Sequence, residues 1–276
     1  MKDNNEISVT EHFYKVNDEI YEIIKKYLPN SLKQIKNTNF PLTLRALLHF
    51  HTNSNFIKNG IIDLINSDNL YGAKILYRSL IEHFLKSEYL FMKVIKNKND
   101  TVGWEYFNLC NFDENKKYAK SYKQSAKLYG IDLKENFDFD TFRKQFSEVK
   151  NLTNKEIDEK ISQFNYRKIV SFIVKTLYNN KYDGNPFLLK IMPIFSELSS
   201  FVHAGPLSNS EMLKSSNLKI RNDTYKNMLE MTLLLSMNII SHFFIILSIS
   251  YPEYQEAIKK IDSIMKNITG NLGTPY

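Results

Sequence analysis

The chain has 276 residues, of which 43% are hydrophobic and 24% charged, so it can bury a substantial core and is not a disordered chain. Its net charge of +7 biases the surface toward anionic partners but is far below that of a histone-like polycation. Cys110 is its single cysteine, which excludes an intramolecular disulfide and a cysteine-based metal cluster. Because the N-terminus also lacks an apolar signal region, we expect a cytoplasmic protein.

The first hundred residues predict three long helices. Apolar residues recur at helical spacing over residues 9–28, and Pro29 is expected to end that helix. A second helix is predicted from Pro41 to residue 66, since proline fits the first helical turn. Residues 67–70 then supply a turn and an N-cap for a third helix, residues 69–96. Two long helices joined by so short a link should pack as an antiparallel hairpin.

The third helix combines a wide apolar face with one concentrated polar stripe. At ~100° per residue, the polar side chains of this helix share one arc of its surface. They are Arg78, Ser79, Glu82, His83, Lys86 and Tyr89. Arg78 and Glu82 are four positions apart and are therefore neighbours, whereas His83 lies well around the axis from Arg78. This stripe is the most distinctive feature of the sequence.

Residues 97–184 are richer in charged residues and have an intermittent apolar pattern, which predicts a helical insertion within one all-helical domain spanning residues 1–276. Helices are expected at 104–129 and 166–178, with a weaker one at 136–150. On the first, four lysines between Lys116 and Lys127 share a face, and tyrosines share another. This face either tracks a phosphate backbone or is a solvated surface whose tyrosines pack inward, and we favour the second interpretation.

The C-terminal third predicts two more strong helices. One covers residues 186–202 and is stopped by Gly205 and Pro206, and a polar connection at 207–224 leads to a final long helix at 225–251. Residues 231–251 contain no Asp, Glu, Lys or Arg, so a membrane span must be considered. Because this run contains asparagine, histidine and four serines, we interpret it as a buried core helix, with a single membrane anchor as the alternative.

Several common types of active site find no support. The six histidines do not show metal-ligand spacing, and a glycine-rich phosphate loop, a nucleophile elbow and a kinase signature are all lacking. We interpret His12, His49, His51 and His242 as structural residues. No metal and no cofactor are expected.

Two segments together form a candidate site, residues 77–83 and residues 195–206. In the second, Ser199, Ser200 and His203 fall on one face of a helix, with His203 in its last turn. A histidine there is suited to donate a proton or to bind an anion, because the helix dipole favours its cationic form. If the two helices face each other, Glu82 could orient His203 while Arg78 holds a phosphate. The alternative is a buried polar network that only sets helix register.

These residues also carry a resemblance. The Arg78-x-x-x-Glu82 helix followed by the Ser200-x-x-His203 helix resembles a group of bacterial proteins described only as a domain of unknown function, over roughly residues 40–250. More distantly, the segment around His203 is similar to the HEPN superfamily, all-α proteins that often act as metal-independent ribonucleases and usually form dimers with a composite site.

The resemblance departs from the HEPN pattern at one position. That motif has Arg, four to six residues, then His, but Leu198 stands five residues before His203. Arg78 with His83 has the bare spacing in a different context. Either Arg78 replaces the missing arginine in space, or the site is degenerate and the fold serves as a scaffold.

The resulting expectation is an all-α, HEPN-like helical bundle built on a long helical hairpin. Our first hypothesis is a homodimeric RNA-directed effector of a bacterial toxin or anti-phage defence system, acting as a metal-independent ribonuclease with a partner protein from the same operon. Its catalytic residues would be His203, Arg78 and Glu82, and its substrate-binding residues would be Ser199, Ser200 and Lys86. The second hypothesis is a non-catalytic helical module that binds a protein partner or a nucleotide. The third is a membrane-anchored effector.

Overall fold

The structure, a computed structural model, describes residues 9–131, 143–144, 146–179 and 186–271. Within these residues every regular element is a helix, so the prediction of an all-α protein is confirmed. The core is built mainly from three long helices, which are the two arms of the hairpin and the long C-terminal helix.

Helix α1 covers Val9–Gln34 and continues through Pro29, so the prediction that this proline ends the helix is wrong. A proline inside a helix removes its own N–H from the hydrogen-bond ladder, and its ring crowds the carbonyl four residues back. The flanking residues Ile23, Ser31 and Ile35 all remain buried, and this burial favours continuation. A short 3-10 turn, Ile35–Asn37, follows.

The predicted hairpin is confirmed. Helix α2 covers Pro41–Asn66, with Pro41 in its first turn, and helix α3 covers Leu70–Asn97. The Asn69 side chain accepts a hydrogen bond from the Gly72 amide and so caps α3, as the turn sequence predicts. The two helices make the most extensive contact in the structure. The site described below lies on α3.

The start of α2 is capped from the far end of α3. The Asp100 carboxylate accepts hydrogen bonds from the Leu42 and Thr43 amides, at 2.7 and 2.8 Å. These amides are among the orphan donors of a helix N-terminus, and a carboxylate also suits the positive end of the dipole. Asp100 therefore closes the hairpin at its open end.

The middle of the chain forms smaller helices. They are α4, Thr101–Trp104; a π-helical turn, Glu105–Cys110; α5, Asn111–Leu128; α6, Asn154–Ser162; and α7, Tyr166–Asn179. Thr153 and Glu156 form a complete capping box at the start of α6. Parts of α4 to α6 gather around a small second apolar cluster, while α7 packs on α3. The predicted weak helix at 136–150 lies largely outside the described residues, and the predicted insertion boundaries stay a prediction.

The last third of the chain supplies the central helix. Helix α8 covers Pro186–Val202 and packs against α3; α9 covers Pro206–Lys214; α10 covers Leu218–Ser248; a 3-10 turn, Pro252–Tyr254, precedes α11, Gln255–Asn271. The predicted polar connection at 207–224 is wrong, because α9 and the start of α10 occupy it. Asn217 caps α10 by accepting from the Lys219 and Ile220 amides. Polar, exposed helices of this kind lack the strong apolar period that reveals buried ones.

Helix α10 packs against both arms of the hairpin. Among the described residues it is the one helix long and apolar enough to cross a membrane, and 78% of its apolar window is buried inside the protein. Extensive burial against α2 and α3 is the property expected of a core helix.

Candidate functional site

Four charged side chains lie one helical turn apart along α3. They are Lys74, Arg78, Glu82 and Lys86, and we call them the charged stripe. Residues spaced by four positions share a helix face. The N-terminal part of this stripe meets α8, so the two segments singled out from the sequence do pack together.

Arg78 is held by two contacts with α8 and one within α3. Its Nε donates a hydrogen bond to Ser199 Oγ at 3.1 Å, and its guanidinium carbon lies 4.4 Å from the centroid of the Phe195 ring. Its Nη1 lies 3.6 Å from Glu82 Oε2. The side chain is 20% exposed. Arg78 is therefore a positioned, half-buried cation that keeps some access to solvent.

The aromatic surface beneath Arg78 is itself fixed. The Phe195 ring stacks on the Tyr166 ring of α7, with centroids 3.9 Å apart and planes 12° from parallel. Burial raises the pKa of Tyr166, and the positive charge of Arg78 opposes this effect. Three helices, α3, α7 and α8, thus meet around one guanidinium.

Glu82 lies between two cations of its own helix. Its carboxylate is 3.1 Å from Lys86 Nζ and 3.6 Å from Arg78 Nη1, and its side chain is 39% exposed. Among the described contacts, the ion pairs of Glu82 and Arg78 do not include His203. Glu82 therefore steadies the stripe, and its expected role in orienting His203 stays a prediction.

Ser199, Ser200 and His203 have different surroundings. Ser199 Oγ accepts from Arg78 and donates to the Phe195 carbonyl at 2.8 Å. Ser200 Oγ instead accepts from the Ser208 amide at 3.0 Å, which ties α8 to α9. Helix α8 ends at Val202, so His203 lies just beyond the last turn, and its side chain is exposed. Of the two serines, Ser199 faces the candidate site, while Ser200 stabilises the turn.

The turn after His203 is tight. The Gly205 amide donates to the Ser200 carbonyl at 2.7 Å, and Ala204 takes a left-handed conformation with φ of 50°. A Cβ on Gly205 would lie 2.6 Å from Ser200 Oγ. A glycine is therefore required here by the close approach of the turn to Ser200.

Two members of the α3–α8 contact were not anticipated. Lys74 is buried and its Nζ lies 3.0 Å from Glu197 Oε1 and 4.6 Å from the centroid of the Phe201 ring. Nearby, the Tyr71 hydroxyl donates to the Phe201 carbonyl at 2.7 Å. Extending the charged stripe one turn back from Arg78 would have found Lys74. Glu197 has no comparable signal in its local sequence.

His83 belongs to the hairpin and not to the site. Its Nδ1 donates to the Ser79 carbonyl at 2.8 Å, and its ring meets Phe50 edge-on with centroids 5.8 Å apart. Burial is the main cause that lowers the pKa of His83 below its ordinary value. Helical geometry thus separates His83 from Arg78 despite their motif-like spacing.

A second polar cluster lies in the core between α3 and α10. His242 Nδ1 is 2.9 Å from Ser87 Oγ, and its Nε2 is 2.9 Å from Glu88 Oε2. The imidazole stacks on Phe91 with centroids 4.6 Å apart. Ser87 is 0% exposed, so a substrate cannot reach this serine. The cluster satisfies the polar atoms of a buried histidine and agrees with a structural role for His242.

The lysine and tyrosine faces of α5 differ from both interpretations made from the sequence. Tyr118, Tyr122 and Tyr129 are 74%, 60% and 82% exposed, so the expectation that these tyrosines pack inward is wrong. They lie on the side of α5 opposite to the lysines, given ~100° per residue. One nucleic-acid strand cannot stack on the tyrosines and track the lysines together.

Within the residues that the structure describes, His, Cys, Asp and Glu form no group of three or more arranged to hold a metal ion. The candidate site combines the cations of the charged stripe with the Glu82 carboxylate, the Ser199 hydroxyl and the His203 imidazole.

The fold and site define a class: an all-α protein in which an Arg-x-x-x-Glu helix packs against a Ser-x-x-His segment. The family of unknown function DUF5677 matches residues 44–220, which include both motifs, and the chain belongs to this family. This confirms the resemblance to a domain of unknown function. Comparisons with curated proteins and with solved structures gave no match.

Proposed function

We propose that this chain is an RNA-directed effector of the HEPN type that acts where α3 meets α8. The observation that supports the proposal is that Ser199 accepts a hydrogen bond from both Arg78 and His203. Its hydroxyl accepts a hydrogen bond from the Arg78 guanidinium, and its carbonyl accepts one from the His203 amide at 3.1 Å. An anion-binding group and an acid-base group are thereby anchored to the same residue.

The unused hydrogen-bond donors of Arg78 fit a phosphate ligand. A guanidinium has five N–H donors on three nitrogens. Nε donates to Ser199, and Nη1 lies beside Glu82. The remaining donors can bind phosphate oxygens, and the cation–π contact with Phe195 keeps the group in place. Lys86 and Ser199 are the neighbouring residues we assign to substrate binding, and Ser200 supports the site by fixing the turn after His203.

The proposed reaction is RNA cleavage by the adjacent 2′-hydroxyl. A base removes the hydroxyl proton, the 2′-oxygen forms a bond to phosphorus, and the bond from phosphorus to the 5′-oxygen breaks. The departing oxygen takes up a proton. His203 serves as the acid or the base, and Arg78 stabilises the charge on the phosphate oxygens. A second copy of the chain in a homodimer would supply the other proton-transfer group.

The test compares wild type with His203→Ala. Expression of wild type should slow cell growth and fragment RNA, and the variant should lose both effects. His12→Ala, at an exposed histidine of α1, is the matched control and should behave as wild type. Equal growth and equal RNA integrity for wild type and His203→Ala would refute the catalytic proposal.

A second function is favoured by the enclosure of Arg78. Because Ser199, Glu82 and Phe195 all contact it, the same geometry suits a non-catalytic module whose polar network sets the register of α3 on α8. Such a module would bind a protein partner of a defence or toxin-antitoxin operon, or a nucleotide.

The two functions differ in what Arg78 substitutions change. Under either function, Arg78→Leu lowers the free energy of unfolding by ~2 kcal/mol, because Ser199 loses a charged donor and Phe195 loses its cation. Glu82→Ala costs less than ~1 kcal/mol, since this carboxylate is 39% exposed and its pairs are screened by solvent. In the ribonuclease, Arg78→Lys keeps most stability but removes RNA cleavage. Cleavage assays alongside urea unfolding separate the two.

We further propose a cytoplasmic location for this effector, with α10 in the core. Fractionation of cells without detergent tests it. Recovery of the full-length protein only with the membranes would favour the membrane-anchored alternative.

A further inference from the structure

A basic groove lies where the end of α1 meets α2. Its volume is about 490 Å³. The residues that line it are Leu32, Lys33, Ile35, Lys36, Arg45, Leu48 and His49. None of these lining residues is acidic. The groove shares no residue with the site around Arg78 and His203.

The cations of this groove are not neutralised within the described part of the chain. Lys33, Lys36 and Arg45 make no ion pair with a described acidic residue, unlike many of the surface lysines. Like charges that converge on one concave surface repel each other and raise the local concentration of anions. The groove is therefore suited to an anionic ligand.

Helix termini explain only part of this clustering. Lys33 lies in the last turn of α1, where the negative end of the dipole favours a cation. Arg45 is the fifth residue of α2 and lies past the first turn, in which the helix dipole acts, and the Asp100 carboxylate at that end is bonded to backbone amides. Arg45 therefore has no such structural reason for its charge.

An aromatic ring positions two of the basic groups. The Arg45 guanidinium carbon lies 5.6 Å from the centroid of the Phe107 ring, and the His49 ring meets Phe107 edge-on with centroids 5.8 Å apart. Phe107 belongs to the π-helical turn, a local geometry that often occurs at functional sites. The ring holds Arg45 and His49 side by side on α2.

The groove combines this cationic rim with an apolar lining of Leu32, Ile35 and Leu48. Leu32 is 49% exposed, so it presents apolar surface to a ligand. A nucleotide has the matching parts, a phosphate for the rim and a flat base for the leucines. The volume also falls in the range of ~300–1,000 Å³ typical of small-molecule sites. We propose that this groove binds a nucleotide phosphate, either of a free nucleotide or of single-stranded RNA.

The proposal goes beyond the function assigned to Arg78 and His203, because binding here requires no cleavage. The test uses the full-length His203→Ala protein, so that a bound RNA stays intact. Fluorescence anisotropy measures binding of two probes, a labelled single-stranded uridine oligonucleotide and a labelled ATP analogue. The test variant adds Lys33→Gln and Lys36→Gln. The matched control adds Lys219→Gln and Lys259→Gln, at two exposed lysines outside the groove.

We expect the test variant to bind the oligonucleotide at least about tenfold more weakly than the control, with a shallower dependence on salt, because two phosphate contacts are lost. Weaker binding of the oligonucleotide alone identifies an RNA strand as the ligand, and weaker binding of both probes identifies a single nucleotide. Circular dichroism checks that the test variant is folded. Arg45→Gln should show the same loss of binding, and it takes the place of the test variant if that variant is unfolded. Equal binding by the test, Arg45→Gln and control proteins overturns the proposal.

Discussion

A buried lysine between α1 and α2 makes the stability of this protein depend on pH. Lys58 is 6% exposed, and its Nζ donates to Asn17 Oδ1 at 2.5 Å. His51, on the same helix, is buried as well. Burial lowers the pKa of Lys58 from 10.5 to about 8. We predict that wild type gains about 2 kcal/mol of stability relative to Lys58→Met between about pH 7.5 and 9.5.

The sign follows from proton binding. Between the folded pKa of about 8 and the unfolded value of 10.5, the unfolded chain binds more protons at Lys58 than the folded chain does. The contribution of Lys58 to stability therefore rises with pH over this interval, and the full penalty is present below it. At ~1.4 kcal/mol for each pKa unit, the penalty near pH 7.5 is about 3 kcal/mol, and about 2 kcal/mol of it is recovered by pH 9.5.

The measurement is urea unfolding of wild type and Lys58→Met at both pH values, followed by circular dichroism. Burial raises the pKa of Cys110, Tyr77 and Tyr106, so these groups weaken both proteins alike as the pH rises, and the difference between the two proteins isolates Lys58. Lys259→Met, at an exposed lysine of α11, is the control and should keep the wild-type dependence on pH.

Two results would contradict this reasoning. A difference in the free energy of unfolding between wild type and Lys58→Met that stays constant over this interval would mean that Lys58 is not desolvated as its burial implies. A difference that changes in the opposite direction would contradict the sign of the argument.

Three further substitutions test the contacts that hold the hairpin and the core. Asp100→Ala should lower the free energy of unfolding by ~1–2 kcal/mol in urea titrations, because it removes the cap of α2; a change below ~0.3 kcal/mol would contradict this role. Gly103→Ala should cost ~1–3 kcal/mol or more, since its Cβ would lie 2.3 Å from the Thr43 amide nitrogen; an unchanged melting temperature would show that the backbone yields there. His242→Phe should lower the free energy of unfolding by ~3 kcal/mol, because Glu88 loses its buried partner. A calorimetric stability equal to that of wild type would show that this cluster does not stabilise the fold.

Much of the fold is readable from local patterns. The bounds of α2 and α3 and the cap at Asn69 follow from apolar spacing and turn residues, because those signals act within a few positions along the chain. The same reasoning fails at Pro29 and over residues 207–224. At the first, burial of the flanking face outweighs the lost hydrogen bond and the crowding by the proline ring, and at the second, exposed helices show little apolar period.

For the candidate site, the sequence by itself determined which residues lie on the polar face of α3, since Arg78, Glu82 and Lys86 share a face of any helix they form. Only the tertiary structure decided their partners. Packing of α8 on α3 paired Arg78 with Ser199, turned Ser200 toward α9 and left His203 exposed. The physical reason is that the contact between Arg78 and Ser199 joins residues 121 positions apart, so it depends on how whole helices rotate and dock, which local spacing does not encode.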